Sequence, residues 1–284
     1  MTTRHVPDVA PLDPVSLRAA TALDAVLAAG SLWVIVSWMA GHPPFYSATA
    51  PVMSPFTAVS ILLMVVTRMA RLHLATWPMA LSLAMTGLVM GGNVSSMLML
   101  LTTPPELWAS FPGLVLTSVM TSTGLVLFCA YDLVIALRET PASAFILDDV
   151  LIHLALVPGG LSLLGYLLGI PTYLSVHADP RVGISPLEMA FMGLYAVAAV
   201  VSNPRLFLWQ FLRAGWPNRL VFGLLFANQF VAPLAVALLF STPGVRAPGL
   251  ELFVMLAGVV ATMLFLLLQA RVARRGAEAP SVPV

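Results

Sequence analysis

Thirteen arginines, twelve carboxylates and five histidines carry all the charge chemistry of this 284-residue chain, and lysine is absent. Most of these groups flank apolar runs, so the few that fall inside such runs are where chemistry should be sought, because an ionisable group in an apolar span is costly and often functional. Asp24, Asp132 and His153 meet that description, as do the amides Asn228 and Gln229. Asp132 precedes Arg138 by six residues, about 9 Å along a helix, and His153 follows Asp149 by four, about 6 Å. Their depths agree, so an Asp132–His153 pair across consecutive antiparallel helices is geometrically possible, with Asp24 at a similar level. A histidine beside a carboxylate changes charge near neutral pH, which would make a ligand-binding or protonatable cluster. The opposing reading is an interhelical hydrogen bond that locks two helices, or snorkelling to the nearby interface.

Other polar positions read as architecture. Asn93 follows Gly91-Gly92 and suits polar glue between helices, and Gly87 and Gly91 form a Gly-x-x-x-Gly step suited to close helix contact. Pro158 and Pro233 fall mid-span and are expected to kink their helices. Glu188 stands three residues after Ser185, the spacing of a capping box. His42 and His177, in two outer loops, lack the convergent ligands that a metal site needs, and His153 has no facing histidine for haem. Cys129, the single cysteine, excludes an internal disulfide and reads as a packing residue. No nucleophile motif, phosphate loop or catalytic carboxylate pair is present. The expectation is a non-enzymatic protein, with no cofactor indicated and no nucleic-acid partner.

The elements that must position these residues follow from composition. Apolar residues make up 60% of the chain, charged residues only 9%, and mean hydropathy is +0.97; a typical soluble domain is about a quarter charged. Too few polar side chains exist to cover a water-facing surface, so the bilayer is the expected surrounding. Eight candidate spans lie near 19 to 40, 54 to 67, 77 to 101, 112 to 137, 149 to 169, 186 to 202, 219 to 240 and 249 to 270, the second and sixth being shortest. The apolar run before Ala48-Thr49-Ala50 is longer than a signal-peptide core, so the first segment is kept as an anchor. Arginines cluster at the N-terminus, after spans two and four, around residues 205 to 219 and at residues 271 to 275, leaving only Arg181 and Arg246 on the opposite side. By the positive-inside bias both termini are cytoplasmic, which requires an even span count.

The chain also repeats itself. Gly41-His42-Pro43 is echoed by Gly169-Ile170-Pro171, Ser54-Pro55 by Ser185-Pro186, Trp77-Pro78 by Trp216-Pro217, Thr103-Pro104 by Thr242-Pro243, and Pro112-Gly113-Leu114 by Pro248-Gly249-Leu250. The five echoes keep their order at offsets of 128 to 139 residues. The expected architecture is therefore an all-α membrane protein of two parallel four-helix repeats. They span residues 19–138 and 139–270, between a cytoplasmic segment at 1–18 and a tail at 271–284. Ser-Pro reads as a helix start, serine capping an orphan N–H and proline fitting the first turn. Trp-Pro marks the comparable start from the opposite face.

The run Leu-Leu-Gly-Tyr-Leu-Leu-Gly-Ile-Pro at 163 to 171, followed by Ile-Ser-Pro-Leu at 184 to 187, resembles the multi-spanning N-terminal regions of bacterial sensor histidine kinases and diguanylate cyclases. Met53-Ser54-Pro55-Phe56-Thr57-Ala58 looks like the same element in the first half. The resemblance implies a membrane-embedded input module that passes a signal to a cytoplasmic output. The expectation for this chain is a bacterial inner-membrane sensory module that binds a small or hydrophobic ligand, or a partner membrane protein, and signals to a separate cytoplasmic partner. The alternatives are a small transporter or channel, or a structural subunit of a larger complex. A second copy of the chain is a further partner to consider.

Overall fold

The computed structural model describes residues 13–45, 50–74, 76–103, 117–137, 147–175, 183–204, 206–239 and 249–278. Ten helices and no strand occur among them: α1 (Pro14–Met39), α2 (Pro55–His73), α3 (Met79–Thr102), α4 (Val119–Leu137), α5 (Leu147–Leu168), α6 (Pro171–Leu174), α7 (Pro186–Val201), α8 (Phe207–Arg213), α9 (Trp216–Leu239) and α10 (Leu250–Glu278). Seven of these are long and apolar enough to cross a bilayer: α1 to α5, α9 and α10. The protein is an all-α, multi-pass membrane protein. Its lipid-facing side chains include Leu88, Leu224 and Phe253, all largely exposed, as expected where the surrounding solvent is hydrocarbon.

Helix α7 is shorter, 16 residues, but it is the interior element. It packs against α1, α2, α4, α5 and α8. Small residues let its neighbours approach: Ala196, Ala198 and Ala199 are buried along its length, and the ring of Phe191 lies against Gly30 of α1. Among apolar helices in lipid, such close packing and interhelical hydrogen bonds are what hold a bundle together.

The helix starts agree with the sequence. Ser54 Oγ accepts from Thr57 N at 3.0 Å, and Ser185 Oγ accepts from Glu188 N at 3.1 Å, with Pro55 and Pro186 in the first turns. Glu188 Oε2 accepts in return from Ser185 N at 2.8 Å, closing the expected capping box. Trp216 opens α9 and is exposed, while α3 begins one residue after Pro78. The indole N–H of Trp77 donates to Ser82 Oγ at 2.7 Å. Because the Ser185 cap is buried, Ser185→Ala should cost about 1–2 kcal/mol, read as a lower unfolding midpoint in detergent; an unchanged midpoint would remove the cap from the explanation of this helix start.

Several boundaries differ from expectation. Helix α2 continues through Arg68 and Arg71 to His73, because both guanidinium groups find acceptors inside the bundle instead of ending the span. The Gly87–Gly91 step makes no helix contact: both positions face open space, and Gly92 is the residue that Phe56 of α2 packs over. Pro158 and Pro233 do lie inside their helices, α5 and α9, as mid-span prolines should. Helix α10 carries on past residue 270 to Glu278. His177, Pro112-Gly113-Leu114, Thr242-Pro243 and the arginines at 4, 138, 181, 205 and 246 lie outside the described residues, as do Pro104 and Pro248.

Candidate functional site

Two buried polar arrays flank α7. The first is ionic. Asp24 of α1 is fully buried and takes Arg68 of α2 side-on, Nε lying 3.1 Å from both carboxylate oxygens while Nη2 also contacts Oδ1. The Arg68 guanidinium lies over the ring of Tyr195 of α7, 4.0 Å from its centroid. The hydroxyl of Tyr195 donates to Asp132 Oδ2 of α4 at 2.6 Å, and Arg71 Nη2 donates to Asp132 Oδ1 at 2.9 Å. Two cations and two carboxylates thus form one neutral lattice that ties α1, α2, α4 and α7 together. Neutrality and saturation of the carboxylates are what make burial tolerable, since either charge alone would carry a desolvation cost of several kcal/mol.

The second array sits at the other end of α7. Thr57 Oγ1 of α2 donates to Glu188 Oε1 at 2.9 Å, and Ser54 and Thr117 hydroxyls lie within 3.1 Å of Thr57 or of each other. The starts of α2 and α7 therefore share one carboxyl group.

The opposite face of α7 borders a half-open cavity of about 640 Å³, with the exposed Leu163 and Val197 in its lining. Its walls come from α5, α7, α8 and α9, with Leu266 of α10 at the edge. They are almost wholly apolar, with His153 and Asp149 of α5 as the ionisable members. Glycine makes the room: Gly193 has nothing within 4 Å of a built Cβ, and Gly159 only a side-chain atom of Met189 at 4.0 Å. Aromatic rings close the far wall, Phe222, Phe226 and Phe230 following one another down α9. Size and lining match a pocket for one apolar molecule of modest size, which typically occupies about 300–1,000 Å³.

Helix α8 forms the floor on the side where α2 ends, and its own sequence supplies no cap. Asp149 supplies it from α5, accepting from Leu208 N at 2.9 Å and Phe207 N at 3.2 Å. Asp149→Ala should release α8, raising hydrogen exchange of residues 207 to 213 severalfold for a cap worth about 1 kcal/mol; unchanged exchange there would show that α8 is held by packing alone.

The geometrically possible Asp132–His153 pair does not form. Helix rotation is not set by depth: Asp132 faces α2 and α7, whereas His153 faces α9. There His153 Nε2 meets Gln229 Nε2 at 3.2 Å, and Gln229 Nε2 donates to Thr262 Oγ1 of α10 at 2.8 Å. Asn228 is exposed on the outer side of α9 and does not join Gln229. Asn93 is buried polar glue, donating to Ser60 Oγ of α2 at 3.1 Å. His42 is exposed, and no group of three or more potential metal ligands occurs among the described residues. Arg68, Arg71 and Tyr195 were not singled out from sequence. The available signal was a pair of arginines one turn apart directly after a short span, with intramembrane acids elsewhere needing countercharge.

Comparison with protein-family models, curated proteins and solved structures finds no match for this chain. Function has to be read from the geometry.

Proposed function

We propose that this protein is a non-enzymatic sensory or regulatory module of the bacterial inner membrane, which holds an apolar molecule in the cavity and reports its presence through α7. The observation that carries this reading is the two-sidedness of α7. Met189, Met192, Gly193 and Ala196 border the cavity, while Glu188 and Tyr195 on the same helix are fixed to α2 and α4 by hydrogen bonds. A molecule that enters or leaves the cavity acts on a helix whose other contacts lead directly to Arg68 and Arg71. The arginine end of α2 is the cytoplasmic end under the positive-inside bias, so a change there is available to a cytoplasmic partner.

In this reading α7 makes an eighth pass and both termini are cytoplasmic. Residues of the same end are joined in support of that orientation: Asp13, which caps α1, pairs with Arg213 at 2.6 Å, and Thr21 of α1 meets His73 of α2 at 2.9 Å. The two halves are parallel repeats. The Thr57–Glu188 bond joins positions 131 residues apart, the same offset as Ser54 and Ser185, as a pseudo-twofold axis between α2 and α7 would require. The likeness of both Ser-Pro elements to sensor input regions points the same way.

A brominated long-chain alcohol added to the protein in detergent tests the cavity. Bromine quenches indole on contact, and Trp209 lines the cavity wall. Saturable quenching is expected in the native chain, with its saturable part lost in Trp209→Phe and in Gly193→Leu, whose side chain occupies the cavity. Quenching that rises without saturation and is the same in all three would mean that the chain merely meets detergent-borne probe at its lipid face.

A further inference from the structure

The hydrogen-bond chain behind the cavity fixes the chemistry of the molecule it takes. Thr262 Oγ1 donates its single hydrogen to the carbonyl of Gly258 at 2.9 Å. It can therefore only accept at its 2.8 Å contact with Gln229, so the atom facing it is the amide nitrogen. That same nitrogen faces His153 Nε2 at 3.2 Å with its second hydrogen, so Nε2 is the unprotonated, accepting nitrogen. The ring hydrogen of a neutral His153 consequently sits on Nδ1. Nδ1 has no hydrogen-bond partner among the described residues, and His153, only 6% exposed, lines the cavity. Trp209 Nε1, in the same wall, is buried and also without a partner, and an apolar cavity with two unpartnered N–H donors in its wall is built for an acceptor.

Resting on the reading of the cavity as a binding site, we propose that its ligand is a neutral, single-chain or ring-and-tail apolar molecule bearing a carbonyl oxygen, which accepts the His153 Nδ1 hydrogen while the tail lies along Phe222, Phe226 and Phe230. A carboxylate ligand is disfavoured. Asp149 stands one helical turn before His153 in the same wall, its carboxylate already held by two backbone N–H groups, and it repels an anion placed beside it. The acceptor matters because a buried donor left unpaired costs about 1–3 kcal/mol, a penalty that a carbonyl relieves and a hydrocarbon does not.

The test is competition against the brominated probe by three chains of equal length: a methyl ketone, the alkane and the fatty acid at a pH where it is ionised. In the native protein the ketone should displace the probe at about tenfold lower concentration than either of the others. His153→Phe should bring ketone and alkane together while leaving the alkane unchanged, whereas a ketone preference kept in full would overturn the assignment to His153 and give the carbonyl to Trp209 Nε1. Infrared spectra of the bound ketone should show its carbonyl stretch lowered in the native protein and restored in His153→Phe. A long-tailed benzoquinone and a monoacyl ester then separate a quinone ring from a lipid ester as the source of the carbonyl. Equal displacement by ketone and alkane in the native protein, a comparison that needs no variant, would overturn the carbonyl assignment while the cavity reading stands. Displacement by none of them would overturn both, and preference for the fatty acid would overturn the assignment of a neutral ligand.

Discussion

Arg68→Leu should destabilise the folded protein by about 3–5 kcal/mol, because it leaves Asp24 as an uncompensated charge in the bundle interior. Asp24 is fully buried and Arg68 is 3% exposed, so water cannot solvate the partner left behind. The same change also strips the cation from the Tyr195 ring and a countercharge from the neighbourhood of Asp132. Asp24→Leu alone should cost a similar amount by stranding the guanidinium. The double replacement Asp24→Leu with Arg68→Leu should recover most of the loss, since a buried ion pair is often no better than apolar residues. The resulting coupling of several kcal/mol is measurable as a double-mutant cycle of unfolding in mixed micelles. Additive single losses would mean that the two residues do not form a pair.

Gly124→Val should be nearly as damaging, by another mechanism. A Cβ at Gly124 of α4 would lie 2.9 Å from the carbonyl oxygen of Ala155 in α5 and closer still to the terminal methyl of Met192 in α7. The methionine end can swing away, but the Ala155 carbonyl is backbone, so α4 and α5 must separate. Overpacking of this kind costs about 1–3 kcal/mol or more. Gly87→Ala is the matched control, because its Cβ meets nothing within 4 Å, and a helical alanine there should be neutral or mildly stabilising. If Gly124→Ala behaves like Gly87→Ala, the α4–α5 approach is not as close as described.

The fold class was legible because it rests on composition and on local capping chemistry. Ser54-Pro55 and Ser185-Pro186-Leu187-Glu188 contain donors, acceptors and fixed dihedrals within one turn, so no distant residue is needed to interpret them. The site was half legible. Asp24, Asp132, His153 and Gln229 stand out as costly groups in apolar runs, and all four lie in buried polar arrays. Their partners did not stand out, because pairing depends on helix rotation and on which helices are neighbours. Arg68 and Arg71 read as loop residues since charge usually ends a span, and nothing local says that acids on α1 and α4 extend the helix by neutralising them. The cap of α8 by Asp149 reaches across 59 residues, beyond any capping spacing. The cavity was invisible for a related reason: Gly159 and Gly193 make space only once α5 and α7 are set beside the aromatic wall of α9.

The binding of an apolar molecule beside α7 is tested most directly by purifying the native chain and Gly193→Leu in the same mild detergent and identifying bound small molecules by mass spectrometry. The expected result is one apolar, carbonyl-bearing species at near-stoichiometric amount in the native protein, lost from a folded Gly193→Leu. The same species in equal amount in both proteins, or only bulk membrane lipid in both, would contradict it.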